Sequence, residues 1–235
     1  MPVKQRRIKA ALIDMDGTLY DSMPSHARAW MRLMTEKGIE ADEKEFFLYE
    51  GMTGAAIIDK MIMRSLGRHA TDAEKKDFYD IKARYFSEMA PVEPLEGARE
   101  MVTALLERDI TTVLVTGSGQ ASLLSRLEKD FPGAFPAGRR VTSASVSRGK
   151  PFPEPYLKGL EIAGCPATRA IGIDNAPLGT QSSSAAGLLT VGVVTGPIPA
   201  DALADNGADI VFFSMPACTK MLPRLLDKIE GIAAE

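Results

Sequence analysis

The sequence has only two cysteines and no long apolar run. Cys165 and Cys218 form no metal-ligand spacing, which predicts free thiols in a reducing compartment. A transmembrane helix needs about 18 or more consecutive apolar residues, and no stretch approaches that length. We therefore expect a cytoplasmic protein with no membrane partner.

A basic stripe of the kind that binds nucleic acid is also missing. The formal net charge is -3, and both signs are spread along the chain, so we expect no nucleic-acid partner. The basic residues 1–10 lead into an apolar run that ends at Asp14 without a small-residue cleavage site, which argues against a signal peptide. No internal repeat or low-complexity segment is visible. The 235 residues, 45% of them hydrophobic, can bury a large core, and we expect a monomer.

Short apolar runs alternate with helical patterns over most of the chain. Continuous apolar strands between helices are typical of a parallel sheet covered on both faces, so the sequence predicts an α/β fold. The predicted strands are 8–14, 111–116, 170–174, 188–194 and, more weakly, 209–213. The predicted helices are 97–108, 119–129, 154–163, 177–186 and 215–230.

Residues 21–92 interrupt this alternation with a purely helical pattern. Apolar residues recur at helical spacing in the segments 24–37, 43–49, 54–66 and 72–89. The chain returns through "APVEPLEGA" (90–98), whose prolines and glycine suggest a connector. We therefore predict a core domain of residues 1–20 and 93–235 and a helical domain of residues 21–92. Inserted after the first strand, the helical domain would lie over the carboxyl edge of the sheet as a lid.

Three polar side chains end predicted strands: Asp14, Thr116 and Asp174. In parallel sheets, ligands collect at this edge. "IDMDGTLYDS" (13–22) also places Asp16 two positions after Asp14, and two close carboxylates need a cation between them or a proton on one of them. A turn or a helix N-cap would equally well account for an isolated Asp-x-Asp pair.

Three further segments carry polar groups that suit phosphate chemistry. "VTGSGQ" (115–120) offers backbone N–H groups to an anion, Lys150 lies in the proline-stiffened "GKPFPEPY", and "GIDNAPLG" supplies Asp174 and Asn175 as hard oxygen ligands. Taken singly, these segments are also explained by a tight turn, a solvated lysine and a helix cap.

In this order the four segments resemble the four motifs of the haloacid dehalogenase-like (HAD) superfamily. "DMDGTLYDSMPSHARAW" and "GKPFPEPY…IDNAPLG…AAGL" resemble its β-phosphoglucomutase-like branch, which contains mutases, phosphatases and pyrophosphate hydrolases. The resemblance implies a Rossmann-like core with a small helical cap. It also implies that Asp14 is the nucleophile, that Asp16 is the general acid and base, and that Mg²⁺ binds Asp14, the Asp16 carbonyl and Asp174. The groups implied to hold the phosphoryl oxygens are Thr116, Gly117, Ser118 and Lys150.

The chain departs from the family pattern at two places. Asn175 stands where many relatives carry a second acid, so it is either a weaker Mg²⁺ ligand or a residue that only supports one. Gly54 stands where the mutase pattern has an arginine, and the same loop opens with an acid, Glu50. His26 and Lys82 lie at cap positions where mutase-like relatives have polar contacts, although both could instead be solvated surface groups.

These departures favour a compact substrate over a bulky sugar bisphosphate. We therefore predict a Mg²⁺-dependent phosphohydrolase that acts on a small phosphate compound. Inorganic pyrophosphate is the first choice, followed by a small sugar or organic phosphate monoester. The alternatives are a β-phosphoglucomutase and, more remotely, a non-catalytic phosphate-binding module.

Overall fold

The computed structural model describes residues 7–231, whose strands form one six-stranded sheet. All strand pairs are parallel, in the order β3-β2-β1-β4-β5-β6. The strands are β1 (Ala10–Ile13), β2 (Thr111–Val115), β3 (Arg140–Val141), β4 (Ala170–Asp174), β5 (Leu189–Val193) and β6 (Ile210–Phe212). The predicted parallel α/β sheet is confirmed.

Helices cover both faces of this sheet. Leu12 and Ile13, neighbours on the central strand β1, pack into different apolar clusters because successive strand residues point to opposite faces. Both residues are fully buried, which explains why the strand reads as a continuous apolar run. The helices outside the predicted cap are α5 (Ala98–Leu106), α6 (Ala121–Leu124), α7 (Leu127–Asp130), α8 (Glu154–Ala163), α9 (Pro177–Ala185), α10 (Ala200–Asp205) and α11 (Met215–Glu230).

Four helices occupy the stretch between β1 and β2, as the periodicity predicts. They are α1 (Met23–Glu36), α2 (Glu43–Leu48), α3 (Gly54–Leu66) and α4 (Asp72–Ser87). Three of them start with a side-chain cap: Asp42 accepts from the Lys44 N–H, Thr53 accepts from the Ala56 N–H, and Thr71 forms a capping box with Glu74. The division into domains at residues 21 and 92 stays a prediction.

Two elements differ from the sequence-based expectations. The strand β3 was not predicted, because its two residues include Arg140 and form no apolar run; pairing with β2 defines it. The predicted helix 119–129 is two helices of four residues, α6 and α7. At the break, the Arg126 N–H bonds to Leu123 O, three residues back. Its guanidinium is held by Val92 O and by Asp130.

Between residues 7 and 231, no helix has both the length and the apolar character needed to cross a bilayer. Both cysteines are free thiols, Cys218 buried and Cys165 half-buried. Residues 1–6, which carry most of the basic start considered for a signal peptide, lie outside the described residues.

Candidate active site

The carboxyl ends of three neighbouring strands meet where the sequence places its polar residues. Asp14 follows β1, Thr116 follows β2, and Asp174 ends β4. The Thr116 hydroxyl lies 3.4 Å from Asp16 Oδ2, which links the loops after β1 and β2. The edge of the sheet therefore brings the predicted residues together.

Lys150 lies between the two strand-end carboxylates. Its Nζ donates to Asp14 Oδ1 at 2.6 Å and to Asp174 Oδ2 at 2.7 Å, and the Tyr156 hydroxyl donates to the same Asp174 oxygen at 2.7 Å. Burial opposes the charge on the ammonium, but the two carboxylates outweigh it and raise the pKa of Lys150. A buried cation therefore separates these two like charges.

Asp14 retains an unfavourable electrostatic environment despite this contact. Burial raises its pKa to about 7; Lys150 lowers it, while Asp174 and Asp16 raise it. Asp14 Oδ2 is buried and has no hydrogen-bond partner among the described residues. A buried carboxylate oxygen without a donor suits a cation, so the site fits a magnesium ion on this observation.

The carboxylates and other oxygen atoms here are hard ligands, which favours Mg²⁺ over metals that need sulfur or imidazole. Within residues 7–231, no three His, Cys, Asp or Glu side chains are grouped so as to hold a metal ion. A magnesium site would thus combine the Asp14 and Asp174 carboxylates with oxygens of another kind, such as the Asp16 carbonyl.

Asn175 connects the loop between α2 and α3 (residues 49–53, the cap loop) to the sheet edge. Its Oδ1 accepts from the Thr18 hydroxyl at 2.9 Å, and its Nδ2 donates to Glu50 Oε1 at 2.9 Å. A Cβ on Gly17 (φ +76°) would lie 2.2 Å from Asn175 Nδ2 and 2.5 Å from Glu50 Oε1, so only glycine fits there. Both polar atoms of the amide are thus engaged by protein groups.

Glu50 is part of the site rather than of the cap surface. Glu50 is only 7% exposed. Burial and the negative charge of Asp14 raise the pKa of its carboxyl well above the usual value. The loop that follows lies directly on the sheet edge: a Cβ on Gly117 would be 2.3 Å from the Gly51 carbonyl oxygen. The backbone of this loop approaches the segment after β2 so closely because Gly117 has no Cβ.

Asp16 belongs to a hydrogen-bonded series that runs into the cap. Its Oδ1 accepts from Ser22 at 2.7 Å and from His26 Nε2 at 2.8 Å, and His26 Nδ1 lies 2.5 Å from Lys82 Nζ. Burial would raise the pKa of Asp16, but the charge and hydrogen bonds of its partners lower it. Burial and the Lys82 charge lower the pKa of His26. Asp16 is therefore ionised and has a short path to two proton carriers.

Lys82 is enclosed by aromatic rings. Its Nζ lies 5.3 Å from the Trp30 ring centre, 5.3 Å from that of Phe86 and 5.9 Å from that of Tyr79. Burial lowers the pKa of Lys82 to about 7. The interpretation of His26 and Lys82 as solvated surface groups is wrong, since the structure buries both.

These groups surround one small cavity of about 50 Å³. The cavity is lined by Asp14, Asp16, His26, Glu50, Lys82, Thr116, Gly117 and Ser118 among others. All predicted substrate-binding positions therefore face the same space as the predicted nucleophile.

Sequence reasoning missed three residues of the site: Ser22, Tyr79 and Tyr156. Ser22 and Tyr156 both lie inside quoted motif segments, so proximity in sequence could have suggested them. Tyr79 lies three positions before Lys82 on α4, one helical turn away, and is therefore on the same face. Nothing in its own neighbourhood distinguishes it from the apolar residues of that helix.

Comparisons with known proteins agree with this geometry. A family model described as haloacid dehalogenase-like hydrolase matches residues 8–187. Hexitol phosphatase A of Escherichia coli (strain K12) is 28% identical over 213 residues, covering 91% of this chain and 94% of its own. Phosphorylated carbohydrates phosphatase of Thermotoga maritima is 28% identical over 206 residues, with coverages of 86% and 92%.

A solved structure from Bacteroides vulgatus, provisionally named a beta-phosphoglucomutase, is 40% identical, with a TM-score of 0.91. It covers 96% of this chain and 91% of its own. Each similarity spans most of both chains, so it includes helices between β1 and β2 as well as the sheet.

Proposed function

The chain belongs to the haloacid dehalogenase-like hydrolases, as the match over residues 8–187 shows, and on that basis we propose a Mg²⁺-dependent phosphohydrolase that works through an aspartyl-phosphate at Asp14. Membership of this family, together with relatives named as phosphatases, makes the protein an enzyme. The non-catalytic binding module is therefore set aside.

In the proposed reaction, the Asp14 carboxylate attacks phosphorus and the bond to the leaving oxygen breaks. The Lys150 ammonium offsets negative charge on the transferring group, and the Thr116 hydroxyl donates a hydrogen bond to it. Mg²⁺, held by Asp14, Asp174 and the Asp16 carbonyl, would supply the positive charge that lets a carboxylate approach an anionic phosphate. Asn175 positions the cap loop through Glu50.

Asp16 donates the proton of the first half-reaction and accepts the proton of the second. Because its pKa is lowered, the proton that it gives to the leaving oxygen reaches it from His26, 2.8 Å away. In the second step Asp16 takes a proton from water, which attacks the aspartyl-phosphate and breaks the bond between Asp14 and phosphorus. The series from Lys82 to Asp16 restores the starting protonation.

We propose a compact anionic leaving group, with inorganic pyrophosphate as the preferred substrate. The observation that carries this proposal is the buried Lys82 and His26 pair, which faces the same cavity as Asp14. An ammonium there can hold a leaving phosphate, whereas the small cavity and the absence of an arginine at Gly54 disfavour a bisphosphate of a sugar.

A second candidate is a small sugar or polyol phosphate. Two relatives are named for phosphatase activity on hexitol or phosphorylated carbohydrates. The Bacteroides vulgatus neighbour keeps the mutase as the third candidate. Hydrolysis by water and transfer to a second sugar oxygen share the Asp14 chemistry, so the leaving group and acceptor must be tested directly.

A phosphate-release assay with Mg²⁺ decides among the three candidates. The panel is pyrophosphate, phosphoglycolate, glycerol 1-phosphate, hexitol phosphate and β-glucose 1-phosphate. We expect the highest kcat/KM for pyrophosphate, with two phosphates released per turnover. A higher kcat/KM for a sugar or polyol phosphate would establish the second candidate. Formation of glucose 6-phosphate from β-glucose 1-phosphate would establish the mutase.

Metal removal is expected to abolish turnover. EDTA should stop phosphate release and added Mg²⁺ should restore it. Asp174→Ala should raise the Mg²⁺ concentration for half-maximal activity steeply, by about tenfold or more, because a charged ligand is lost. Asn175→Ala should raise it less, since its amide is engaged by Thr18 and Glu50. Equal Mg²⁺ dependence of Asp174→Ala and the wild type would remove Asp174 from the ligand set.

Lys82→Met is expected to lower kcat/KM for pyrophosphate by about 10- to 100-fold, the cost of losing a charge-assisted hydrogen bond. The pKa of Lys82 is about 7, so its ammonium is present below that pH and lost above it. The wild-type rate should therefore decline on the alkaline side, and that decline should be absent from the variant.

The matched control for this prediction is Lys76→Met, on the same helix. The Lys76 side chain is 79% exposed and pairs only with Asp80, so its loss should leave the rate unchanged. If the rate of Lys82→Met declined at alkaline pH as the wild-type rate does, that decline would belong to the titration of another group.

A further inference from the structure

The space above Gly54 is filled by the ring of Tyr79. A Cβ on Gly54 would lie 2.2 Å from Tyr79 Cδ2 and 2.3 Å from Cε2, distances at which atoms overlap. No side chain can therefore leave α3 at its first residue while the ring stays in place. Gly54 at the start of α3 thus leaves room that the Tyr79 ring on α4 fills.

Both ends of Tyr79 are fixed. Its ring packs over Gly54, and its hydroxyl accepts from the Gly119 N–H at 2.9 Å. A helix of the predicted cap is thus bonded to the loop after β2, which carries Thr116 and Gly117. The ring also lines the catalytic cavity, where its centre lies 5.9 Å from Lys82 Nζ. Moving this ring aside for a larger ligand would cost both its packing on Gly54 and its hydrogen bond to Gly119.

We propose that Tyr79 is a specificity-determining residue that limits the leaving group by its volume. Tyr79 and Lys82 line the same cavity, so a leaving group as large as a hexose that contacts Lys82 would have to enter the space that the Tyr79 ring fills. The inference rests on the proposed phosphohydrolase function and adds the residue that sets its size limit. Specificity then comes from steric exclusion as well as from the ammonium.

Substitution at Tyr79 tests this inference through a ratio of rates. Tyr79→Leu keeps an apolar helix former but removes the ring. We expect the kcat/KM ratio of glucose 6-phosphate to pyrophosphate to rise by about tenfold or more, mainly through a lower KM for the sugar phosphate. Tyr79→Phe keeps the volume and removes only the bond to Gly119, so its ratio should stay within about threefold of the wild type.

Two further variants protect the test. Phe78→Leu makes a similar change on the same helix, where the ring faces Lys37 at 5.0 Å instead of the cavity, and should leave the ratio unchanged. Tyr79→Met replaces Tyr79→Leu if circular dichroism shows that the leucine variant does not fold. An unchanged ratio in a folded Leu or Met variant overturns the inference. An equal change in Tyr79→Phe also overturns it, because the hydrogen bond would then be responsible.

The test of Tyr79 can be separated from the test of pyrophosphate as the substrate. Should the wild type prefer an organic phosphate to pyrophosphate, the pyrophosphate proposal fails, and the ratio of glucose 6-phosphate to glycerol 1-phosphate becomes the readout. That ratio should still rise in Tyr79→Leu if ring volume sets the limit. A flat ratio in that case overturns the inference for Tyr79 as well.

Discussion

Asp14→Asn is expected to lower kcat by about 10³-fold or more while making the metal-free protein more stable to heat. An amide is a far weaker nucleophile than a carboxylate, so the loss corresponds to about 4 kcal/mol or more in the activation barrier. The shape of the side chain is kept, and Lys150 can still donate to its oxygen.

The stability gain follows from the raised pKa of Asp14. In the folded protein that pKa is about 7, against 3.8 for an unperturbed aspartate. The native state therefore binds more protons than the unfolded state between these values, and the free energy of unfolding falls as the pH rises through them. Above about pH 7 the wild type carries the full cost of the buried charge, at most on the order of 4 kcal/mol. The amide never carries it.

Thermal unfolding in EDTA at several pH values measures this effect. The melting temperature of Asp14→Asn should exceed that of the wild type by several degrees near pH 8, and the difference should vanish near pH 4. Asp21→Asn, at an exposed position, is the control and should change neither rate nor stability. Near wild-type phosphate release by Asp14→Asn would refute the covalent mechanism.

The sequence was most informative where one strand or one motif determines the outcome. Asp14, Thr116 and Asp174 could be placed at one edge because each ends an apolar run and parallel strands align their carboxyl ends. The four helices between β1 and β2 could be located because the spacing of apolar residues is a local signal. The strand β3 could not, since two residues beside an arginine leave no pattern.

Contacts between distant segments were beyond sequence reasoning. Asn175 was considered as a possible metal ligand, but its amide bonds to Thr18 and Glu50, which are far apart in the chain. The place of Tyr79 in the site could not be predicted, because its ring occupies space that is open only since Gly54 has no side chain. In both cases the contact depends on how distant segments pack against each other. The spacing of apolar residues along the chain carries no information about that packing.

Lys150→Met is expected to destabilise the fold and to lower kcat by about 10³-fold or more. The ammonium lies 2.6 Å from Asp14 and 2.7 Å from Asp174, and removing it leaves two buried carboxylates without a neighbouring cation. Breaking a buried pair on one side typically costs about 3–5 kcal/mol. Lys158→Met, whose side chain is 39% exposed and pairs with Glu154, should cost far less.

The pH and metal dependence of this variant separate a lost charge from lost packing. Without the ammonium, the pKa of Asp14 should rise above about 7, so Asp14 stays protonated below that pH, and the stability deficit that its charge causes should appear only at higher pH. Mg²⁺ should raise the melting temperature of Lys150→Met more than that of the wild type, where Lys150 already neutralises Asp14 and Asp174. A deficit that is equal at all pH values and insensitive to Mg²⁺ would indicate a packing defect. Because Asp14, Asp174 and Lys150 share one buried space, phosphoryl transfer and stability depend there on the same balance of charge.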